Sequence, residues 1–311
     1  MTGSRTHNRR EVLAGAAALG LATVSSGARA RAQRSPDQHR RAIPSSKQVL
    51  PAIGMGTWIT FNVGSDKNLR ADRARVLQTF FDMGGELVDS SPMYGTSEEV
   101  IGDCLKQYSG VPPLFSATKV WTMFESFGIT QMERSMELWG LPRFDLMQIH
   151  NLLDWDTHIN TLKDWKAAGR IRYLGITTSH GRRHGDFAKV MQSEPLDFVQ
   201  FTYNILDREA EKRLLPLAAD RGQAVVVNRP FRQGGLFDLF QKHPLPEWAS
   251  EFDAANWAQF FLKFIISHPA VTCAIPATSR VEHMRENMGA LQGALPDAGM
   301  RQRMVQYVES L

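Results

Sequence analysis

Gly54-Met55-Gly56-Thr57-Trp58 closes the first apolar run of the body, residues 52–55. In an open doubly wound sheet, the first strand would lead into G-x-G-x-x-G, whose third glycine lets the next helix pack closely. That third glycine is absent here. Seven more short, apolar, β-branched runs follow, at 87–90, 114–118, 146–150, 173–177, 198–202, 224–228 and 272–275. Such runs suit parallel strands covered on both faces. Between them lie stretches with helical spacing at 72–83, 97–107, 129–138, 158–168, 186–192, 208–220 and around 254–267. Glycines mark several helix ends: Gly84-Gly85, Gly140, Gly169 and Gly222. Eight strands alternating with helices predict an α/β fold of the (β/α)8 TIM-barrel class.

The 311 residues leave room for one such barrel and extensions. With 43% hydrophobic and 22% charged residues, the composition excludes a disordered chain. Two cysteines exclude a disulfide framework; Cys104 and Cys273 both fall in apolar elements and read as buried free thiols. The net charge of +4 sits wholly in residues 1–32, where five arginines face only Glu11. The body is neutral, which gives no electrostatic case for a nucleic-acid partner.

Residues 1–32 read as a twin-arginine signal peptide. Arg9-Arg10 precede a mild apolar run over 14–24, then come Ala28-Arg29-Ala30 and Ala30-Arg31-Ala32 as small-residue cleavage patterns. The run is too short to span a bilayer. It predicts export of a folded, cofactor-loaded protein to the periplasm by the twin-arginine machinery, with a cytoplasmic location if the leader does not function. Residues 33–42 read as a linker and 43–311 as the barrel. No later window offers 18 uninterrupted apolar residues, so no stable membrane anchor is expected after leader cleavage.

In a barrel of this class, chemistry sits at the C-terminal ends of the strands. The second strand leads into Asp89-Ser90-Ser91-Pro92-Met93-Tyr94-Gly95. The third ends in Thr118-Lys119-Val120-Trp121 and the fourth in Gln148-Ile149-His150-Asn151. Taken singly these are weak signals. A strand-end Asp is more often a cap, a lone Lys a rim charge, and a lone His a structural residue. Asp89, Tyr94, Lys119 and His150 at three successive strand mouths form a proton-handling group. A phenol with a pKa of about 10 is a poor acid at neutral pH. A neighbouring ammonium stabilises its phenolate, and a carboxylate keeps that ammonium charged and oriented. A histidine can then orient a substrate oxygen.

These motifs, over residues 43–293, resemble the aldo-keto reductases. Gly54-Met55-Gly56-Thr57-Trp58 is similar to that family's first-strand motif, and Asp89 to Gly95 with Ser97-Glu98 and Ile101-Gly102 is similar to its tyrosine signature. The resemblance implies NAD(P)H-dependent reduction of an aldehyde or ketone, with catalytic Asp89, Tyr94, Lys119 and His150. Tyr94 would act as general acid, its pKa lowered by Lys119, with His150 orienting the carbonyl. For the cofactor it implies Gly56, Thr57, Trp58 and Asp89, then Thr177, Thr178 and Gln200 near the nicotinamide amide. Asn228, Arg229, Pro230 and Phe231 would pass the ring; Gly235 and Leu236 the pyrophosphate; Ser279, Arg280, His283 and Asn287 the adenosine end. Trp58, Tyr94, Trp121, His150 and Asn151 would meet the small-molecule carbonyl substrate.

The chain departs from the family pattern in places. Thr177-Thr178 replace a usual Ser-Asn, and Asn228 stands where many members stack an aromatic on the nicotinamide. Ala277 and His283 occupy positions where many NADPH users carry Lys and Arg, so Arg280 is the candidate 2′-phosphate partner. NADP(H) is therefore favoured, with NAD(H) as the alternative. A rival from another class is an exported redox-sensing or docking protein that holds the cofactor without steady turnover. A metal-dependent hydrolase on the same barrel would use His150, His180 and His184, but lacks a first-strand ligand pair, so no metal is expected.

Overall fold

The computed structural model describes residues 38–311. The signal peptide read at 1–32 and the first part of the linker lie outside the described residues. Residues 40–42, expected to end that linker, instead form strand β1 (Arg40–Ala42), paired antiparallel with β2 (Val49–Pro51). Tertiary contacts decide this: Arg40 pairs with Glu86 at 2.7 Å, and Leu50 is fully buried.

The eight apolar runs become one parallel sheet: β3 (Met55–Gly56), β4 (Leu87–Asp89), β5 (Phe115–Val120), β6 (Phe144–Ile149), β7 (Ile171–Thr177), β8 (Phe198–Thr202), β9 (Ala224–Asn228) and β10 (Cys273–Ala274). Each strand pairs with its sequence neighbour. Parallel bridges Ile53↔Ala274 and Gly56↔Ala277 join the two edges, with Gly54 N donating to Ala274 O at 2.8 Å. The barrel is thereby closed. A Cβ on Gly54 would come within 2.8 Å of the Leu87 carbonyl, and one on Gly56 within 2.8 Å of the Ile275 carbonyl. The two glycines thus serve the barrel seam, not a phosphate loop.

Helices cover the outside: α1 (Lys67–Asp82), α2 (Ser97–Gln107), α3 (Glu125–Trp139), α4 (Trp155–Ala167), α5 (His184–Ser193), α6 (Leu214–Asp220), α7 (Gly235–Phe240), α8 (Trp257–Ile266), α9 (Val281–Gly289) and α10 (Ala298–Glu309). Asp66 caps α1 by accepting from the N–H groups of Asn68 and Leu69. Segment 232–252 packs inward through Leu236, Phe240 and Phe252. Cys104 and Cys273 are free and buried, as expected.

Inward positions alternate along each strand. Leu87, Phe115, Leu146, Tyr173, Phe198 and Ala224 fill the lower interior, where Ile43 and Leu50 of the hairpin segment pack on them. This apolar plug closes the N-terminal floor. Two residues further along, the same inward rows carry Asp89 after Leu87, Lys119 after Ala117, Gln148 after Leu146 and Gln200 after Phe198. The interior therefore changes from hydrocarbon to charge over one pleat.

Candidate active site

Lys119 is completely buried, so its ammonium needs partners. It donates to Asp89 Oδ2 at 2.6 Å and to the Ser90 carbonyl at 2.7 Å. The other carboxylate oxygen of Asp89 accepts from Gln148 Nε2 at 3.1 Å and Gln200 Nε2 at 3.0 Å. Pro92–Tyr94 form a 3-10 turn capped by the Ser91 hydroxyl, which accepts from Met93 N. This turn brings Tyr94 back over the barrel, with Lys119 Nζ 5.2 Å from its ring centroid. His150 opens the turn after β6, its ring edge-on to Tyr94 at 5.7 Å. The four predicted residues meet at one mouth.

Burial alone would push the Lys119 ammonium down; the Asp89 carboxylate and Tyr94 outweigh it and hold its pKa above the usual range. The Tyr94 hydroxyl is shifted upward, against the expected lowering. Burial is the largest cause; Lys119 opposes it and Asp89 adds to it. Tyr94 therefore keeps its proton through neutral pH. Burial, then the Lys119 charge, push His150 down to about 2, so its imidazole is neutral.

Several residues expected to meet the cofactor are already tied into the barrel. Thr57 donates to the Asp89 carbonyl at 3.0 Å. Thr177 Oγ1 accepts from Asn151 N at 3.0 Å, and Thr178 donates to the Arg182 carbonyl at 2.7 Å. Asn228 accepts from Thr202 at 2.7 Å and donates to the Thr178 carbonyl at 2.9 Å, stitching three strand ends together. Leu236 and Asn287 are buried, Phe231 packs on Phe237, and Pro230 is buried beside it. Trp58 and Trp121 are exposed at the rim, while Arg280 and His283 are exposed at the start of α9. Ser279 offers its carbonyl to Arg73 at 3.4 Å. Gly235 opens α7. Arg229 stands apart: its Nε and one Nη are buried without a partner. Gln148 and Ser91 belong to the site although neither was singled out; both are common polar residues whose importance shows only in their contacts. Among the described residues, no three metal-ligating side chains converge.

The mouth loops are conformationally unusual. Among the described residues, 12 non-glycine positions have positive φ, and all but Lys47 and Asp253 lie in loops after β3, β5, β6, β7 or β9. Such strain gathers at functional faces. Asp154 accepts from Phe124 N at 2.7 Å and so fastens the loop after β5 to the loop after β6. A cleft of about 460 Å³ lies there, lined by Trp121, Met123, Asn151, Leu152, Trp155 and Arg183 among others.

The family model described as "Aldo/keto reductase family" matches residues 52–303. Over 313 residues the chain is 25% identical to the NADH-specific methylglyoxal reductase of Escherichia coli K12, covering 80% of this chain and 92% of that protein. It is 29% identical over 186 residues to the aldo-keto reductase YhdN of Bacillus subtilis, a match covering 54% of each. The crystal structure of an aldo/keto reductase from Klebsiella pneumoniae, in complex with NADP and acetate, superposes with a TM-score of 0.72 at 22% identity. That superposition covers 84% of this chain and 93% of that one.

Proposed function

Because the chain belongs to the aldo/keto reductase family, we propose that it reduces an aldehyde or ketone to the alcohol by hydride transfer from NAD(P)H, with Tyr94 as general acid. The observation that carries this reading is the Tyr94–Lys119–Asp89 contact set with His150 at its edge.

The residues present fit such a cofactor. Arg229 holds two buried guanidinium nitrogens with no protein partner at the mouth, suited to an anionic oxygen. A Cβ on Gly234 would meet nothing within 4 Å, so a pyrophosphate can approach the backbone there. No side chain caps the N-terminus of α9, whose free N–H groups suit a phosphate. Arg280 at that N-terminus would meet a 2′-phosphate, which favours NADP(H), with NAD(H) as the alternative. The names of relatives point both ways: one is called NADH-specific, and one structure holds NADP.

When bound, the dihydronicotinamide supplies the hydride. As charge builds on the carbonyl oxygen, Tyr94 donates its proton to that oxygen. The phenolate left behind is stabilised by the Lys119 ammonium beside its ring. Asp89 keeps Lys119 charged where burial alone would discharge it. Neutral His150 hydrogen-bonds the same substrate oxygen and holds it near Tyr94. The small-molecule carbonyl enters beside Trp58, Trp121 and Asn151. The leader at 1–32 would take the folded protein to the periplasm through the twin-arginine machinery. Exchanging Arg9 and Arg10 for lysine would then leave it in the cytoplasm.

The deciding experiment titrates NADPH and NADH against tryptophan fluorescence, then follows NADPH oxidation with a panel of aldehydes and ketones. Saturable binding and carbonyl-dependent oxidation support the reading. Absence of binding by either nucleotide would sink it.

A further inference from the structure

Within the reductase reading above, we propose that Ser91 is a positioning residue: its hydroxyl donates to Nδ1 of His150 and so fixes the ring as the Nε2–H tautomer, leaving that N–H for the substrate oxygen. Ser91 Oγ lies 2.9 Å from His150 Nδ1, and both residues are buried. The direction of the hydrogen bond follows from the second contact of the same oxygen, which accepts from Met93 N at 3.2 Å.

His150 has three possible states. The imidazolium is disfavoured by burial and by the nearby Lys119 ammonium. In the Nδ1–H tautomer the ring would donate to Ser91 Oγ, which already accepts from Met93. The serine proton would then need another acceptor, and among the described residues Ser91 Oγ makes no other hydrogen bond. In the Nε2–H tautomer every group is used: Met93 donates to Ser91, and Ser91 donates to His150. Fixing the far nitrogen of a histidine in this way sets which proton the near nitrogen presents. The same hydroxyl caps the 3-10 turn that carries Tyr94. One oxygen therefore sets both the angle of the proton donor and the proton of the orienting ring.

The test uses the full-length protein labelled with ¹⁵N-histidine. The sequence has nine histidines, and the signal lost in His150→Gln identifies the ring in question. In wild type, Nδ1 should show the shift of an unprotonated ring nitrogen and Nε2 that of a protonated one. Ser91→Ala should move this pair toward the other tautomer or a mixture. It should also lower kcat by about 10- to 100-fold, by analogy with the loss seen when the outer hydrogen-bond partner of a metal-ligating histidine is removed, with the Kd for NADPH unchanged. Ser91→Thr, which keeps the hydroxyl, should restore the wild-type ¹⁵N pattern. A protonated Nδ1 in wild type overturns the proposal, whether or not any carbonyl is reduced. An unchanged tautomer in Ser91→Ala, or kcat within twofold of wild type, overturns it as well. Because the spectrum needs no turnover, failure of the reductase reading is seen separately, as absent NADPH oxidation by wild type.

Discussion

The floor and the mouth of this barrel are built on the same strands, one pleat apart, and follow opposite rules. At the floor, inward residues are Leu87, Ala117, Leu146 and Phe198, buried in one cluster with Ile43 and Leu50 of the hairpin segment. At the mouth, the same rows present Asp89, Lys119, Gln148 and Gln200, each buried and each hydrogen-bonded to another member. The floor tolerates any side chain of the right volume and gains from hydrophobic burial. The mouth tolerates only the group that completes its network, because an orphaned buried charge is costly. Two fully buried lysines show the same contrast. Lys119 faces a carboxylate and is held charged, whereas Lys263 faces three carbonyls, from Phe252, Gln292 and Ala294, and is shifted downward by burial.

Substitutions at either end should separate these rules. Tyr94→Phe removes the proposed proton donor and should lower kcat by about 10²- to 10⁴-fold, with the NADPH Kd and urea midpoint near wild type. Retained turnover would assign the proton to another group. Phe198→Ala is the floor counterpart. It leaves a cavity beside Phe115 and Tyr173, whose ring centroids lie 5.9 and 5.5 Å away. It should cost about 3–5 kcal/mol of stability while kcat per folded molecule stays unchanged. A loss of kcat at full stability would mean that the two ends are coupled.

The pH dependence of stability gives a smaller effect. His150 titrates at about 2 when folded, below its usual value. Between about 6.5 and that pH, the unfolded chain binds a proton that the folded chain refuses. The folded state therefore loses stability as pH falls below about 6.5, by up to about 1.4 kcal/mol per pH unit. His150→Gln should remove this share, so its loss of stability from pH 7 to pH 5 should be about 2 kcal/mol smaller than wild type's. Denaturant melts at both pH values measure it, and parallel losses would contradict a neutral His150. The smallest effect belongs to Arg280→Ala, an exposed charge. The Kd for NADPH should rise about three- to fivefold and that for NADH should not; equal changes would remove Arg280 from the 2′-phosphate site.

The floor was legible in the sequence and much of the mouth was not, for physical reasons. Buried parallel strands must be apolar and β-branched, so all eight stand out in composition, and β8 and β9 match the predicted bounds. The hairpin is hidden because Arg40 and Arg41 look like linker; their strand forms only against Glu86 and the barrel floor. Helix α10 is hidden because it buries only Met304 and Val308. The four residues at the mouth were legible because strand ends bearing Asp, Tyr, Lys and His are unusual together. The protein contacts of Asn228 were not, since they depend on Thr202 and Thr178, neighbours set by the fold. The upward shift of Tyr94 escaped for a similar reason: the sequence names the nearby cation but not the depth of burial that outweighs it.

The plugged floor also makes the barrel a room with one door. Ile43 and Leu50 pack on the interior side chains there, so neither water nor solute can pass through from below. In the reductase reading proposed above, cofactor, substrate and product would all pass through the mouth. A proton given up by Tyr94 in that reading would also return by that route. The readiness of that acid would then be tied to the traffic at the entrance.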